Sequence, residues 1–270
     1  MGFALVLLYM SFRSRFFGGI FAGVFIVSQY SLVAASLAPS VDVLLTAASD
    51  AELQPLIAKL ESPRVETRAA WQFWIGTLAG KRVVLTRTEG DPLNSVAATT
   101  IAIRRYSPKL VVTFGTARAH DQALQSGDLL VSDKFSAFDG MVSTVTPLDS
   151  GSDCQTWQKL PHLIATKGER ETATFFFPAD ASALVVAKTL RAPRGKLVVG
   201  VLGSSAQVNR EADRLAWIRR EWGTSSEDGE SAHIAGCALL LKVPVIGLRV
   251  IDGTEAEAAV VALKFMEALK

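Results

Sequence analysis

Three carboxylates in this chain stand at element boundaries, two just past an apolar strand and one near the start of a helix of small residues. Glu52 follows the apolar run Val43-Leu44-Leu45 and its small-residue exit, Thr46-Ala47-Ala48. Glu230 lies among Gly229, Ser231, Ala232 and Ala235. A carboxylate on a helix of such small residues sits near a packing surface, where it needs hydrogen-bond donors. Asp252 ends the apolar run Val245–Ile251. Gly115-Thr116-Ala117 follows Leu110-Val111-Val112, and small residues there let a ligand approach the backbone. The strand is expected to break at that point and to form the floor of a site, because ligands in α/β sheets sit at the carboxyl ends of strands. Each acid also has a plain structural reading. Glu52 would be favoured in a first helical turn by the helix dipole. Glu230 would serve in a capping box, and Asp252 would cap the final helix.

Two arginines are candidate anion contacts. Arg118, in the loop after Gly115, could bind phosphate or a carboxylate, or point to solvent. Arg87, just before the Gly90 turn, could do the same or remain a surface residue. His120, His162 and His233 read as ordinary loop or structural histidines, and no cluster has metal-ligand spacing. Ser204-Ser205 lacks the pattern of a nucleophile elbow. A glycine-rich phosphate loop of the dinucleotide or Walker kind is absent. Neither a metal nor a cofactor is expected.

The elements that must hold these groups alternate. A strand at Val43–Leu45 leads into a helix from Glu52 to Leu60, capped by Ser49 or Asp50. Residues 62–80 read as paired strands with a turn near Gly80-Lys81, followed by a strand at Arg82–Thr86. Helices are expected at Asn94–Tyr106, Ala181–Leu190, Glu211–Trp222, Asp228–Leu241 and Glu255–Lys270. Further strands are expected at Leu110–Val112, Leu129–Val131, Lys196–Val199 and Val245–Ile251, with turns at Ser126–Asp128 and Gly203–Ser205. Phe135 to Pro161 is loop-like and too long for an ordinary connection, so it is functional or partly structured. Strands alternating with helices give an α/β fold in one domain, residues 41–270, with a central mixed sheet flanked by helices.

The chain has 270 residues, 49% of them hydrophobic, enough for one sizeable core. Its 28 basic and 26 acidic residues nearly cancel, which gives no nucleic-acid footprint. Two cysteines, Cys154 and Cys237, do not make a disulfide scaffold. Residues 1–38 differ from the rest: they carry no acid, and Arg13 and Arg15 precede an apolar block from Phe16 to Val27, with Ala34-Ala35-Ser36 beyond it. That order reads as a secretory signal cleaved near Ala35, or as an uncleaved membrane anchor. The protein is then exported, periplasmic or secreted, or tethered to a membrane by this segment alone. Met10 is an alternative start.

Taken together, the motifs resemble the nucleoside phosphorylase superfamily, and most closely its nucleosidase branch, which cleaves methylthioadenosine and adenosylhomocysteine. The resemblance covers about residues 42–270 and rests on motifs in one order. They are Ala48-Ser49-Asp50-Ala51-Glu52, Gly90-Asp91-Pro92 with Asn94-Ser95, Gly115-Thr116-Ala117, Ser126-Gly127-Asp128 with Val131-Ser132-Asp133, Glu227–Ala232, and Arg249-Val250-Ile251-Asp252. It implies hydrolysis of the N-ribosyl bond of a purine-type nucleoside. Glu52 would activate water, Glu230 would grip the ribose hydroxyls and Asp252 would protonate the leaving base. Gly115, Thr116, Val208 and Gly229 would line the substrate, Val208 standing where the family has an aromatic residue and Gly229 where it often has methionine. A gap-free alignment puts Asp252 on the family's serine and Gly253 on its catalytic aspartate, so the acid is either shifted by one residue or lost. The alternatives are phosphorolysis, with phosphate on Arg87 or Arg118, and a nucleoside-binding protein without activity. The resemblance also implies a homodimer or larger homo-oligomer.

Overall fold

The first apolar run forms strand β1 (Val43–Ala47) in the computed structural model, which describes residues 40–165 and 172–270. All five β1 side chains are buried, as in a strand covered on both faces. Ser49 caps helix α1 (Asp50–Ile57) through a reciprocal capping box with Glu52. The helix stops short of Leu60 because the amides of Lys59 and Leu60 bond three residues back and tighten the last turn. Strands β2 (Glu61–Arg68), β3 (Trp71–Leu78) and β4 (Lys81–Arg87) make an antiparallel meander, as the paired-strand reading required. Asp91 then caps helix α2 (Pro92–Tyr106) by accepting from the amides of Leu93 and Asn94.

Strand β5 (Leu110–Ala119) does not break at Gly115-Thr116-Ala117. It runs on because strand β14 (Val245–Ile251) pairs with it from Val111 to Ala117, and strand β13 (Thr224–Asp228) takes up Arg118 and Ala119. Strand β6 (Leu129–Ala137) likewise extends beyond its apolar start. The long segment after it is partly structured. Short strands β7 (Met141–Val142) and β8 (Gln158–Lys159) pair with each other around a 3-10 turn at Cys154–Thr156. Strands β9 (His162–Ile164) and β10 (Thr172–Thr174) form a second small pair, and β11 (Phe177–Pro178) joins the edge of β6. Helix α3 (Ala181–Ala187) starts on Asp180 as expected. Strand β12 (Leu197–Ser204) absorbs the expected turn at Gly203-Ser204, since both residues pair with β6 and β13.

Helix α4 (Ala212–Trp222) precedes strand β13 (Thr224–Asp228), which replaces the start of the helix expected from Asp228. Helix α5 therefore begins at Ser231 and ends at Leu240, and β14 (Val245–Ile251) and helix α6 (Glu255–Ala268) follow. The mixed sheet has the order β11-β6-β12-β13-β5-β1-β4-β3-β2, with β14 joining β5 to β6. Strands β5, β14, β6, β12 and β13 thus close a ring. Leu53 and Leu56 of α1, Ala183 of α3 and Phe265 of α6 bury one face of the sheet, and Ala102 of α2 and Ile234 of α5 bury the other. A central mixed sheet flanked by helices is the architecture expected. The expected signal or anchor, residues 1–38, lies outside the described residues.

Candidate active site

A cavity of about 580 Å³ opens where β1, β5, β12, β13 and β14 end. Glu52, Glu230 and Asp252 all line it, as do Gly115, Thr116, Gly229, Val208 and Arg118. The three acids lie far apart in sequence, and the sheet brings them together: β1 and β14 run parallel to β5 and deliver Glu52 and Asp252 to the rim, and β13, antiparallel to the end of β5 and parallel to β12, delivers Glu230.

Glu52 is 3% exposed. Its Oε2 accepts from the amides of Ala48 at 2.9 Å and Ser49 at 3.2 Å, and Oε1 accepts from the Thr116 amide at 3.3 Å. Burial raises its pKa, opposed by Arg249 and these amides. Gly115 makes the approach possible: a Cβ on that residue would stand 2.6 Å from Glu52 Oε1. The capping-box reading of Glu52 and its place in the cavity therefore coexist in one side chain.

Arg249 is the centre of charge. It is buried in the middle of β14, where its Nε donates to Asp228 at 2.7 Å. Its Nη2 donates to Thr113 Oγ1 at 2.9 Å and Ser231 Oγ at 2.6 Å, and lies 3.4 Å from Glu230 Oε1. Asp228 also accepts from the amides of Glu230 and Ser231, so it caps α5 in place of Glu230, whose side chain makes no capping bond. Burial alone would raise the Asp228 pKa, but Arg249, Ser204 and Ser231 outweigh it and hold the carboxyl below its usual range. Glu230 goes the other way. Burial and the neighbouring charges of Asp228 and Glu52 push it up to about 7, against the pull of Arg249 and Thr88. Its Oε2 accepts from the hydroxyls of Thr88 and Ser95. One guanidinium thus faces three buried carboxylates, and Glu230 is the one left under-compensated.

Asp252 terminates β14 with φ +39, and the chain turns on this residue. Its amide donates to the Ala117 carbonyl at 2.9 Å, and it is exposed at the cavity rim. Gly253 cannot carry the family's aspartate, since a Cβ there would lie 2.3 Å from Val250 Cγ1. Asp252 is therefore the acid this strand end presents. Gly229 is similarly confined: a Cβ would lie 2.2 Å from the Gly90 carbonyl oxygen. Val208 is 68% exposed and overhangs the cavity without packing into it. Arg118 donates from Nη1 to the Asn209 carbonyl at 3.0 Å. Arg87 is not brought in; it is paired with Asp50 at 2.7 Å and Glu89 at 2.7 Å outside the cavity lining.

Sequence reasoning gave no role to Asp228, Thr88, Ser95 or the side chain of Arg249. A lone arginine in the apolar run VIGLRVI was the available signal, because a charge buried in a strand must find partners. It also missed Glu227, which lines the cavity and accepts from Asn209 at its amide, 3.2 Å, and its Nδ2, 2.8 Å. His120 Nε2 lies 3.1 Å from Glu227 at an angle that makes no hydrogen bond. Chemically, the cavity offers a buried carboxylate fixed by amides, a second able to accept from hydroxyls, and a third open to solvent at the rim.

The sequence pattern of the phosphorylase superfamily matches residues 42–269. The chain is similar to the 5'-methylthioadenosine/S-adenosylhomocysteine nucleosidase of Marinomonas sp., 32% identical over 90 residues, which is 33% of this chain and 39% of that protein. It is 26% identical to the nucleosidase of the same name from Halalkalibacterium halodurans over 225 residues, 82% of this chain and 89% of that one. The chain thus spans less than half of the first relative and most of the second. Among solved structures, the 5'-methylthioadenosine/S-adenosylhomocysteine nucleosidase from Neisseria meningitidis in complex with methylthio-immucillin-A superposes with a TM-score of 0.68. That match covers 84% of this chain and 99% of the other at 19% identity, a likeness of fold.

Proposed function

This chain belongs to the phosphorylase superfamily, and from that premise we propose that it hydrolyses the N-ribosyl bond of a purine nucleoside. The observation that carries the reading is the shared cavity of Glu52, Glu230 and Asp252 around Arg249. As the bond from sugar to base lengthens, positive charge develops on the ribose and negative charge on the base. Glu230, ionised, accepts from the ribose hydroxyls. Glu52 takes a proton from water as its oxygen bonds to the anomeric carbon, a role suited to a carboxyl whose pKa is raised. Asp252 gives a proton to the departing purine, and Thr116 and Gly115 form the floor. One water is consumed, and the products are the free base and free ribose.

Purified protein supplied with methylthioadenosine should release adenine and a reducing sugar without phosphate. Ribose 1-phosphate chemistry that appears only when phosphate is added would replace hydrolysis by phosphorolysis. Tight nucleoside binding in a calorimeter with no base released would leave a binding protein. The reading extends to location and assembly. The charge order of residues 1–38 supports action after export, which N-terminal sequencing of the processed chain checks by a new terminus near Ala35. The family likeness supports a homo-oligomer. Sedimentation of the purified protein as a monomer alone would overturn that.

A further inference from the structure

Glu211 stands at the N-cap position of helix α4, and among the described residues no side chain caps its first-turn amides. Those amides carry the partial positive charge of a helix start. Beside them lies a second cavity, of about 300 Å³, between Trp157, Cys154 and the segment 207–211. Arg214 lines it and is 5% exposed. Its Nη1 is buried and, among the described residues, has no hydrogen-bond partner. Its Nε reaches Asn209 Oδ1 at 3.4 Å, and Nη2 reaches the Met141 sulfur at 3.7 Å. The guanidinium lies over Trp217, 4.6 Å from the ring centroid, which helps to fix its plane.

The contrast with Arg249 decides the reading. Both arginines are buried, and Arg249 has two carboxylates on it, whereas no carboxylate pairs with Arg214 among the described residues. A buried guanidinium without a counter-charge is costly, and an anion seated on it removes that cost. Arg210 adds a second, exposed guanidinium to the lining against one acid, Glu211. The two cavities share Gln207 and Val208, and Asn209 between them accepts from Arg118 on one side and Arg214 on the other.

We infer that the cavity at the start of α4 is an anion site for a carboxylate or phosphate group, adjoining the nucleoside cavity across Gln207-Val208. Arg214 and Arg210, both in the lining, supply the guanidinium donors for the oxygens of such a group. That the anion belongs to the substrate rests on the proposed nucleosidase reading; the anion site itself does not.

Cys154, a free thiol in the lining, reports on occupancy. In the full chain, its reaction with neutral dithiodipyridine is timed while inorganic phosphate or benzoate is titrated in, chloride holding the ionic strength and Cys154→Ser assigning the signal. The expected result is a saturable slowing of about tenfold by one anion, reduced to near nothing in Arg210→Ala and Arg214→Gln, the loss of a charge-assisted contact being worth about that factor. Arg210 is exposed, so Arg210→Ala keeps the test valid should Arg214→Gln fail to fold. No slowing, or slowing unchanged in Arg210→Ala, overturns the proposal. A second arm compares kcat/KM for adenosine with that for adenosine bearing a succinyl group on its exocyclic amine. A preference for the acidic compound that Arg210→Ala abolishes assigns the anion to the substrate. Protection of Cys154 without such a preference assigns it to a free anion. Thiol protection is read whether or not any nucleoside is cleaved, so a failure of the catalytic reading is distinct from a failure of this one.

Discussion

A single guanidinium shared by three buried carboxylates sets the protonation of the site. Arg249 is committed first to Asp228, at 2.7 Å, and Glu230 receives the weaker contact at 3.4 Å. Burial therefore dominates at Glu230 and raises it from 4.5 to about 7. The sign of its effect on stability follows. Between pH 4.5 and about 7 the folded chain keeps a proton that the unfolded chain has lost, so stability from this group falls as pH rises through that window. Asp228, held below its usual range, acts in the opposite sense, and only as pH falls through its own depressed value. Glu230→Gln should thus change the pH slope: urea unfolding at pH 5 and pH 8 should show the wild type losing stability relative to the variant at the higher pH. The same variant should lose kcat/KM, since an amide accepts fewer hydroxyl bonds than a carboxylate. Glu52→Gln should lower kcat by about 10²–10⁴ with little change in KM, the range for removal of a general base. Asp252→Asn should lower kcat by a similar factor; an unchanged kcat would leave the leaving base to be protonated by solvent.

Two turns make the cavity as much as its acids do. The β13–α5 turn at Gly229 rests on the β4–α2 turn at Gly90, with room for no side chain between them. Gly229→Ala should cost about 1–3 kcal/mol, the usual range for overpacking, because the clashing atom is a backbone carbonyl that cannot rotate away. It should also lower kcat/KM by moving Glu230. A urea midpoint that falls at constant m-value, together with the kinetics, checks both. This contact explains why the family's methionine is missing, which the sequence displayed without giving the cause. Elements with their own pattern were legible: the apolar runs at Val43, Val83, Val111 and Val245 are strands, and Ser49 and Asp180 each cap a helix, whereas the final helix is capped by Thr254 and not by Asp252. Strand β13 was not, because TSSED has no apolar alternation and is a strand only through its pairing with β12 and β5. The same non-local pairing carried β5 past Gly115 and β12 past Gly203, where composition alone favours turns. Of the site, the three acids could be read because each sits at an element boundary. Arg249 and Asp228 could not be assigned, since their importance is a matter of which charges share one buried volume.

At the scale of the molecule, the cavity ties together segments that span most of the described chain, from Ala48 to Gly253, at the rim of one sheet whose two faces carry the two large cores. A ligand bridging that rim stabilises the folded state as a whole and has no comparable site on the unfolded chain. At a nucleoside concentration a hundredfold above its dissociation constant, the gain is about 2.7 kcal/mol, which raises the unfolding temperature of a domain of this size by about 5–10 °C. Glu52→Gln supplies the clean test, because it should bind the nucleoside without consuming it. Differential scanning calorimetry should show the full upward shift with methylthioadenosine in that variant and a much smaller one in Glu230→Gln, where a neutral amide oxygen replaces the carboxylate that accepts from the ribose hydroxyls. The full shift retained in Glu230→Gln would move the sugar away from α5 and remove the ground for reading this cavity as a ribose site. A shift absent from both variants but present in the wild type would mean that Glu52 binds the nucleoside instead of activating water, and the catalytic assignment would pass from Glu52 to another group on the rim.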